Sequence, residues 1–263
     1  MPNDPAPYIS KQSLVQRQSA KDGGRRGRYQ DVCEITLESV REDALAANLA
    51  TDVLWSLSAG KEATVYTALW HDHPLALKAF RLHSTSHRKH GKLGFARDTM
   101  SEWAAREFWV MDRLFHAGAR IPTPARHADH MFTARFLGEN LNPAPLLKDC
   151  VLECPQRIFD SIIEQVFLLY RTFVIHGDLS AFNVLMFRGE PWLIDFPQAI
   201  DFASRPSRRQ ILEQGRPILL RDITNIVDYF QRLGVRADAE NLCNECMSQI
   251  GLQDRFEPRR LAR

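Results

Sequence analysis

Val174 to Phe196 reads VIHGDLSAFNVLMFRGEPWLIDF, and this stretch decides how the chain is understood. Val174 and Ile175 close a short extended run, and His176-Gly177-Asp178 turns it. Asn183 follows in the spacing H-x-D-x-x-x-x-N. Two apolar runs, Val184 to Phe187 and Pro191 to Ile194, flank Arg188-Gly189-Glu190 in the pattern of a β-hairpin. Asp195 ends the second run, so a hairpin predicts Asn183 and Asp195 as neighbours. Phosphoryl transfer requires one carboxylate to take or orient a hydroxyl proton. It also requires an amide oxygen and a second carboxylate to hold magnesium against phosphates. Asp178, Asn183 and Asp195 fit those roles in that order. A lone H-x-D or D-F has little specificity, whereas the ordered set with its hairpin has much more.

Composition sets the frame. The chain has 263 residues, 44% hydrophobic and 25% charged, which permits a sizeable core and excludes global disorder. A net charge of +2 does not mark a nucleic-acid binder by bulk charge. The opening MPNDPAPYIS is polar and lacks the apolar core of a signal peptide. The most apolar run, IIEQVFLLYRTFVI, is interrupted by Glu164, Gln165 and Arg171 and is too short to span a membrane. A soluble cytoplasmic protein is expected. Cys243-Asn-Glu-Cys246 has metal-ligand spacing, and Cys150 with Cys154 would make a second pair. Both pairs also have helical spacing, and packing as small apolar residues is the preferred reading over zinc.

Taken in order, residues 1–30 hold the run GGRRGR, Gly23 to Arg28, and read as a flexible basic arm. Asp31 to Leu54 has the apolar spacing of an amphipathic helix, giving a helical extension over 31–52. From Val53, the runs VLWSLS, ATVYTALW and PLALKAFRL predict an antiparallel meander. Ser58 to Glu62 joins the first two runs, a small polar loop that can lie over phosphates, although with one glycine it reads by itself as an ordinary hairpin turn. Lys78, amid apolar residues in the third run, needs water or a negative partner. Asp98 to Ala117 supplies a helix with an apolar face of Trp103, Phe108, Met111, Leu114 and Phe115, and it carries Glu102 and Glu107 as candidate partners. Gly118 is placed to cap it. The basic, histidine-rich stretch His83 to Arg97 reads as a flexible loop. Two more strands are expected in Ile121 to Gly138. Pro155 to Phe173, Pro206 to Gln214, Ile218 to Leu233 and Asp238 to Ile250 read as helices, and residues 251–263 as a basic tail.

The segments SAGKEATVY, LALKAF, WAAREFWVMDRL, PAPLLKD, HGDLSAFNVL and LIDFPQAID occur in that order from about Val53 to about Gly234. Together they resemble the RIO family of atypical serine/threonine protein kinases, of the bacterial type without the winged-helix domain of one subfamily. The resemblance implies an α+β, two-lobed kinase fold. A small antiparallel-sheet lobe would occupy 53–138 and a mainly helical lobe 139–250. It further implies ATP and Mg2+ as cofactors. Ser58, Gly60, Lys61 and Glu62 match the loop over the phosphates, Lys78 the ATP lysine and Glu107 its glutamate partner. Arg135 to Leu137 matches the hinge that receives adenine, Asp178 the catalytic aspartate, and Asn183 and Asp195 the metal ligands. Some members of the family act as ATPase switches in ribosome maturation and form a phospho-aspartate at the position of Asp195. Ala59 departs from a frequent threonine.

Three functions stay open on the sequence. The first is an autophosphorylating Ser/Thr kinase acting on itself or an unknown protein. The second is a small-molecule phosphotransferase of the aminoglycoside or choline kinase type, which shares the HGD…N…IDF core. The third is an ATP-gated module for a ribosomal or RNA partner. PAPLLKD and SAGKEA favour the RIO reading over the second.

Overall fold

Alternating apolar residues and two tight turns build a meander from β1 (Asp52–Ala59), β2 (Ala63–Trp70) and β3 (His73–Phe80). The β2–β3 turn has two residues, and His71 takes the left-handed conformation there (φ 53°). Two further strands, β4 (Pro124–Ala128) and β5 (Met131–Arg135), complete an antiparallel sheet in the order β1-β2-β3-β5-β4. The computed structural model describes residues 36–60, 62–80, 100–203 and 208–253. All of these belong to one of the chain's two units, Glu34–Arg263. The expected basic arm, Lys61, the loop from His83 to Arg97 and the basic tail lie outside the described residues.

Period-two alternation gives the sheet two apolar faces. Leu77, Ala79, Tyr66, Ala68 and Met131 pack with Val40, Ala44 and Leu49 of the α1 (Leu37–Ala46) region. Phe80 and Phe132 turn the other way, to Phe108, Met111 and Leu114 of α2 (Met100–His116). Lys78, two residues from Phe80, therefore shares the α2 face. Helix α2 buries Ala104, Val110 and Leu114 and turns Phe115 outward, so its apolar face is rotated from the expected one.

The expected helix over 31–54 is shorter, and the departure has a local cause. Thr36 caps α1 in a reciprocal capping box with Ser39. The helix then ends at Ala46, and Asn48 enters the left-handed region (φ 57°). Leu49 keeps the helical apolar spacing but is buried from a turn, and the strand begins at Asp52.

Past β5, a small hairpin of β6 (Gly138–Glu139) and β7 (Asn142–Pro143) and a 3-10 turn at Leu147–Asp149 lead into α3 (Pro155–Arg171). Pro155 opens α3, where its missing N–H costs nothing. Ile158, Ile162, Val166 and Leu169 of α3 are buried, each worth about 1.5–3 kcal/mol when removed from water. They face Leu219, Ile223, Ile226 and Phe230 of α4 (Arg208–Gln231) and Cys243 and Cys246 of α5 (Ala239–Gln253). Two helices were expected where α4 is one, because Pro217 lies inside it. The proline removes one ladder bond, and packing on α3 and α5 carries the helix through. Burial pushes both α5 thiols up, as for inert core cysteines. Cys154 instead is exposed just before α3 and Cys150 is half-buried in a loop, so the helical reading of that pair does not hold. Among the described residues no helix is long and apolar enough to cross a membrane.

Short strands frame the remaining segment. β8 (Val174–Ile175) pairs with β11 (Ile200–Asp201), and β9 (Val184–Phe187) pairs with β10 (Glu190–Leu193). The β9–β10 turn is Arg188-Gly189, both with positive φ (53° and 77°), the two-residue geometry that matches strand twist. Glu190 ties the hairpin to its surroundings, accepting from Arg157 Nη1 (2.7 Å) and Arg120 Nη1 (3.1 Å).

Gly118 ends α2 at φ 87°, and the N–H groups of Gly118 and Ala119 donate to the carbonyls of Phe115 and Leu114, the paired bonds of a Schellman cap. A Cβ at Gly118 would touch nothing within 4 Å. Gly118→Ala is therefore expected to cost only the left-handed strain, about 1–2 kcal/mol, with no loss of the fold. Urea denaturation checks this, with the midpoint lowered and the slope unchanged.

Candidate active site

Lys78 is 8% exposed, and its ammonium is met by two carboxylates. Nζ donates to Glu107 Oε1 at 2.7 Å and to Asp195 Oδ1 at 2.6 Å. The three groups come from β3, α2 and the residue after the hairpin, 29 and 117 positions from the lysine. Of the two glutamates on α2, Glu107 is the partner, being on the buried face. Burial alone would lower the lysine pKa, but the two carboxylates outweigh it and hold the ammonium above its ordinary value. Burial outweighs the lysine at Glu107 and pushes that carboxyl up. The directions agree: one cation faces two anions, and the more buried anion bears the desolvation. Glu107 Oε1 also accepts from Phe196 N (2.9 Å), while Oε2 is buried and has no partner among the described residues.

The hairpin explains how Asn183 and Asp195 meet. Val184 is opposite Leu193, and Ile194 N donates to Asn183 O at 3.0 Å. Ile194 O in turn accepts from His176 Nε2 at 3.0 Å. Asp195 then adopts φ 70°, a conformation that costs a non-glycine residue strain and persists only where neighbours fix it. Asn183 donates its amide to Asp178 O (2.7 Å) and, longer, to Asp178 Oδ2 (3.4 Å), which leaves its side-chain oxygen as an acceptor. Asp178 is exposed, and the Asp195 side chain is 45% exposed. An amide oxygen and two accessible carboxylates are hard oxygen donors of the type magnesium takes, so this set fits that ion.

Sequence reading missed the residues that hold the Gly177–Leu179 loop from below. Asp222, 1% exposed on α4, accepts from Gly177 N (2.7 Å) and Leu179 N (3.2 Å). Asn225 donates to Leu179 O (3.0 Å), and Arg221 donates to Gly177 O. Burial raises the Asp222 carboxyl to about 6 despite the two N–H donors. A signal was available: Asp222 interrupts the apolar stripe of Leu219 and Ile226 at helical spacing. Gly177 has φ 85°, and a Cβ there would lie 2.2 Å from Gln198 O, so the loop and the segment after Asp195 are in backbone contact.

Other expected positions are differently disposed. Ser58 is exposed at the end of β1, and Gly60 N donates to Ala63 O (2.9 Å), so that N–H closes the turn rather than facing the cleft. Glu62 extends instead to Gln198 Nε2, at 3.4 and 3.5 Å. In the expected hinge, Arg135 N donates to Thr123 O and Leu137 O accepts from Ala144 N, both at 2.8 Å. Among the described residues the Leu137 N–H has no partner. The Arg135 guanidinium is turned to the Trp192 and Phe187 rings, 5.5 and 5.8 Å away.

A family model for the RIO domain matches residues 64–242. The chain belongs to the RIO family. It is 28% identical over 198 residues to the RIO-type serine/threonine-protein kinase Rio1 of Haloferax volcanii, covering 71% of this chain and 66% of that protein. It is 27% identical over 235 residues to the serine/threonine-protein kinase RIO1 of Caenorhabditis elegans, covering 83% and 45%. With Rio2 of Methanocaldococcus jannaschii it shares 32% identity over 200 residues, covering 71% and 70%. The chain thus spans less than half of the worm protein. Among solved structures, the Rio2 kinase of Chaetomium thermophilum, crystallised as an ADP/Mg2+-phosphoaspartate complex, has the same fold. Its TM-score is 0.59 at 20% identity, over 79% of this chain and 66% of that one. The RIO domain here is accordingly a two-lobed, protein-kinase-like α+β fold.

His176 is buried against Phe196, ring centroids 4.6 Å apart, and burial lowers its pKa from 6.5 to about 4. Between those values the unfolded chain binds a proton that the folded chain does not. Its contribution is therefore intact above pH 6.5 and is lost as pH falls toward 4, on the order of 3 kcal/mol in all. His176→Gln keeps a donor for Ile194 O but cannot titrate. The wild-type minus variant stability should fall over that window, and a difference independent of pH in denaturation curves would contradict the assignment.

Proposed function

We propose that this RIO domain is an ATP- and Mg2+-dependent serine/threonine protein kinase, acting on itself or on an unidentified protein. The observation that carries the reading is the Lys78 ammonium between Glu107 and Asp195. On this reading a phosphate-binding cation and a metal-binding carboxylate stand at one spot. Family membership and the kinase names of its relatives support the same activity. Lys78 would hold nucleotide phosphates, with Glu107 fixing its direction. The Asn183 side-chain oxygen and Asp195 would hold magnesium, which supplies charge neutralisation on the phosphates. Asp178 would orient the acceptor hydroxyl and take its proton. The Leu137 N–H is the hinge donor left for a purine.

A second product has specific support. The phosphoryl group in transit carries charge over three oxygens, and stabilising that charge is most of the catalysis. Two residues after Asp178 stands Ser180, so no cation acts from that position. Slow turnover on free peptides follows, and the exposed Asp195 carboxylate is itself a nucleophile with no proton to lose. The Chaetomium Rio2 complex contains a phosphoaspartate, which supports an acyl phosphate on Asp195 and, with it, an ATPase-switch mode.

Lys78→Ala should lower phosphoryl transfer from ATP by roughly 100-fold or more while leaving the circular dichroism spectrum unchanged. Wild-type activity in that folded variant would remove the basis for the reading. For the metal, Asp195→Asn should weaken Mg2+-dependent nucleotide binding more than Asn183→Ala does, because a carboxylate brings a full charge. Titration calorimetry decides the order. Hydroxylamine separates the two products, since it releases acyl phosphate and spares phosphoserine. Asp178→Asn should abolish the hydroxylamine-stable label, and a stable label undiminished in that variant would be the contrary result.

A further inference from the structure

The segment from Phe196 to Asp201 is fixed on one side by packing and on the other by a few polar contacts. On the helical-lobe side, Phe196 stacks on His176, Gly177 abuts Gln198, and Phe202 lies between Tyr170 and Phe173, with centroids 5.8 and 5.7 Å away. On the side of α2, three polar links are found among the described residues. Glu107 Oε1 accepts from Phe196 N. Arg106 Nη2 donates to Ala199 O at 2.9 Å. Arg113 Nη1 pairs with Asp201 Oδ2 at 2.9 Å.

Arg106 and Arg113 are seven residues apart, two turns of helix on one stripe, a rise of about 10 Å. The stripe runs beside Glu107 and follows the segment for its whole length. Glu107 is a weak tie by itself. Its Oε1 already serves Lys78, and its Oε2 is buried without a partner among the described residues. A small slide of α2 would release that desolvated carboxylate toward water. The neighbouring Asp195 is held at φ 70° and would relax once Phe196 N lost its acceptor.

We infer that Arg113 and Asp201, with Arg106, are positioning residues that lock α2 to the segment after Asp195, so that Glu107, Lys78 and Asp195 keep one geometry. This rests on the reading of Asp195 as a metal-holding carboxylate. The Arg113–Asp201 pair is about one-third exposed on each side. Its effect is therefore placement of the site rather than stability of the fold. Asp201 Oδ1 also accepts from Ala203 N (2.9 Å), so Asp201→Asn can keep that bond through its amide oxygen while it removes the charge and the acceptor that face Arg113.

The test is hydrogen exchange at the Phe196 amide by NMR on the full chain without nucleotide, beside the Mg2+ concentration for half-maximal phosphoryl transfer from ATP. Arg113→Gln and Asp201→Asn should each speed Phe196 exchange roughly 5- to 30-fold and raise the Mg2+ requirement several-fold. The double variant should do no more than the stronger single one, and Arg113→Lys, which keeps the charge, should restore most of both. Exchange and Mg2+ dependence unchanged in folded variants would overturn the inference, and so would fully additive effects. If Phe196 exchange responds but the wild-type chain transfers no phosphate, the coupling stands and the kinase reading fails. Transfer in the wild type with an unresponsive Phe196 overturns the coupling alone.

Discussion

Lys78 puts a full positive charge where water hardly reaches, and the chain has to bring its counter-charges from far away in sequence. A buried ammonium without a partner would neutralise or unfold its surroundings, because desolvation in a low-dielectric interior is worth several kcal/mol. The partners are a glutamate on α2 and an aspartate after the β9–β10 hairpin. Satisfying one side chain thus fixes the distance between sheet, helix and hairpin. The two lobes are joined through an electrostatic requirement as well as through the peptide linking β5 to α3.

Much of this was readable from the sequence because it depends on local period and turn chemistry. Lys78 sits two residues before Phe80, on the same face of a strand that pairs without a bulge, and the Arg188-Gly189 turn closes a hairpin whose strands pair in register. What was not readable depends on tertiary packing. Leu49 continues the helical spacing of α1 yet folds under the sheet from a left-handed turn. Pro217 signals a helix end, but neighbours on both sides keep α4 continuous. Both are cases in which burial overrides local propensity.

The site shows the same division. Asp178, Asn183 and Asp195 announce themselves by spacing, since their neighbours in sequence are their neighbours in space. Asp222 and Asn225 do not, because they bond to the Gly177–Leu179 loop from a helix more than forty positions later. Gly60 was read for its glycine, but its N–H belongs to its own turn, a matter of backbone direction that residue type does not encode. A buried carboxylate on an apolar helical stripe was the signal available for Asp222.

The two-residue turn at Arg188-Gly189 has a further consequence. It lies at the far end of the hairpin, about 13 Å along the strands from the Asn183 end, and it is exposed. Such surface loops ordinarily tolerate insertions. Here the loop acts as a length gauge: adding one residue would offset β9 from β10 and swap their inward and outward side chains. Ile194 would no longer oppose Asn183, and the Asp195 carboxylate would swing out of reach of the lysine. Length at this tip is thus constrained by the pairing at the opposite end, and the two positive φ values there favour glycine and asparagine besides.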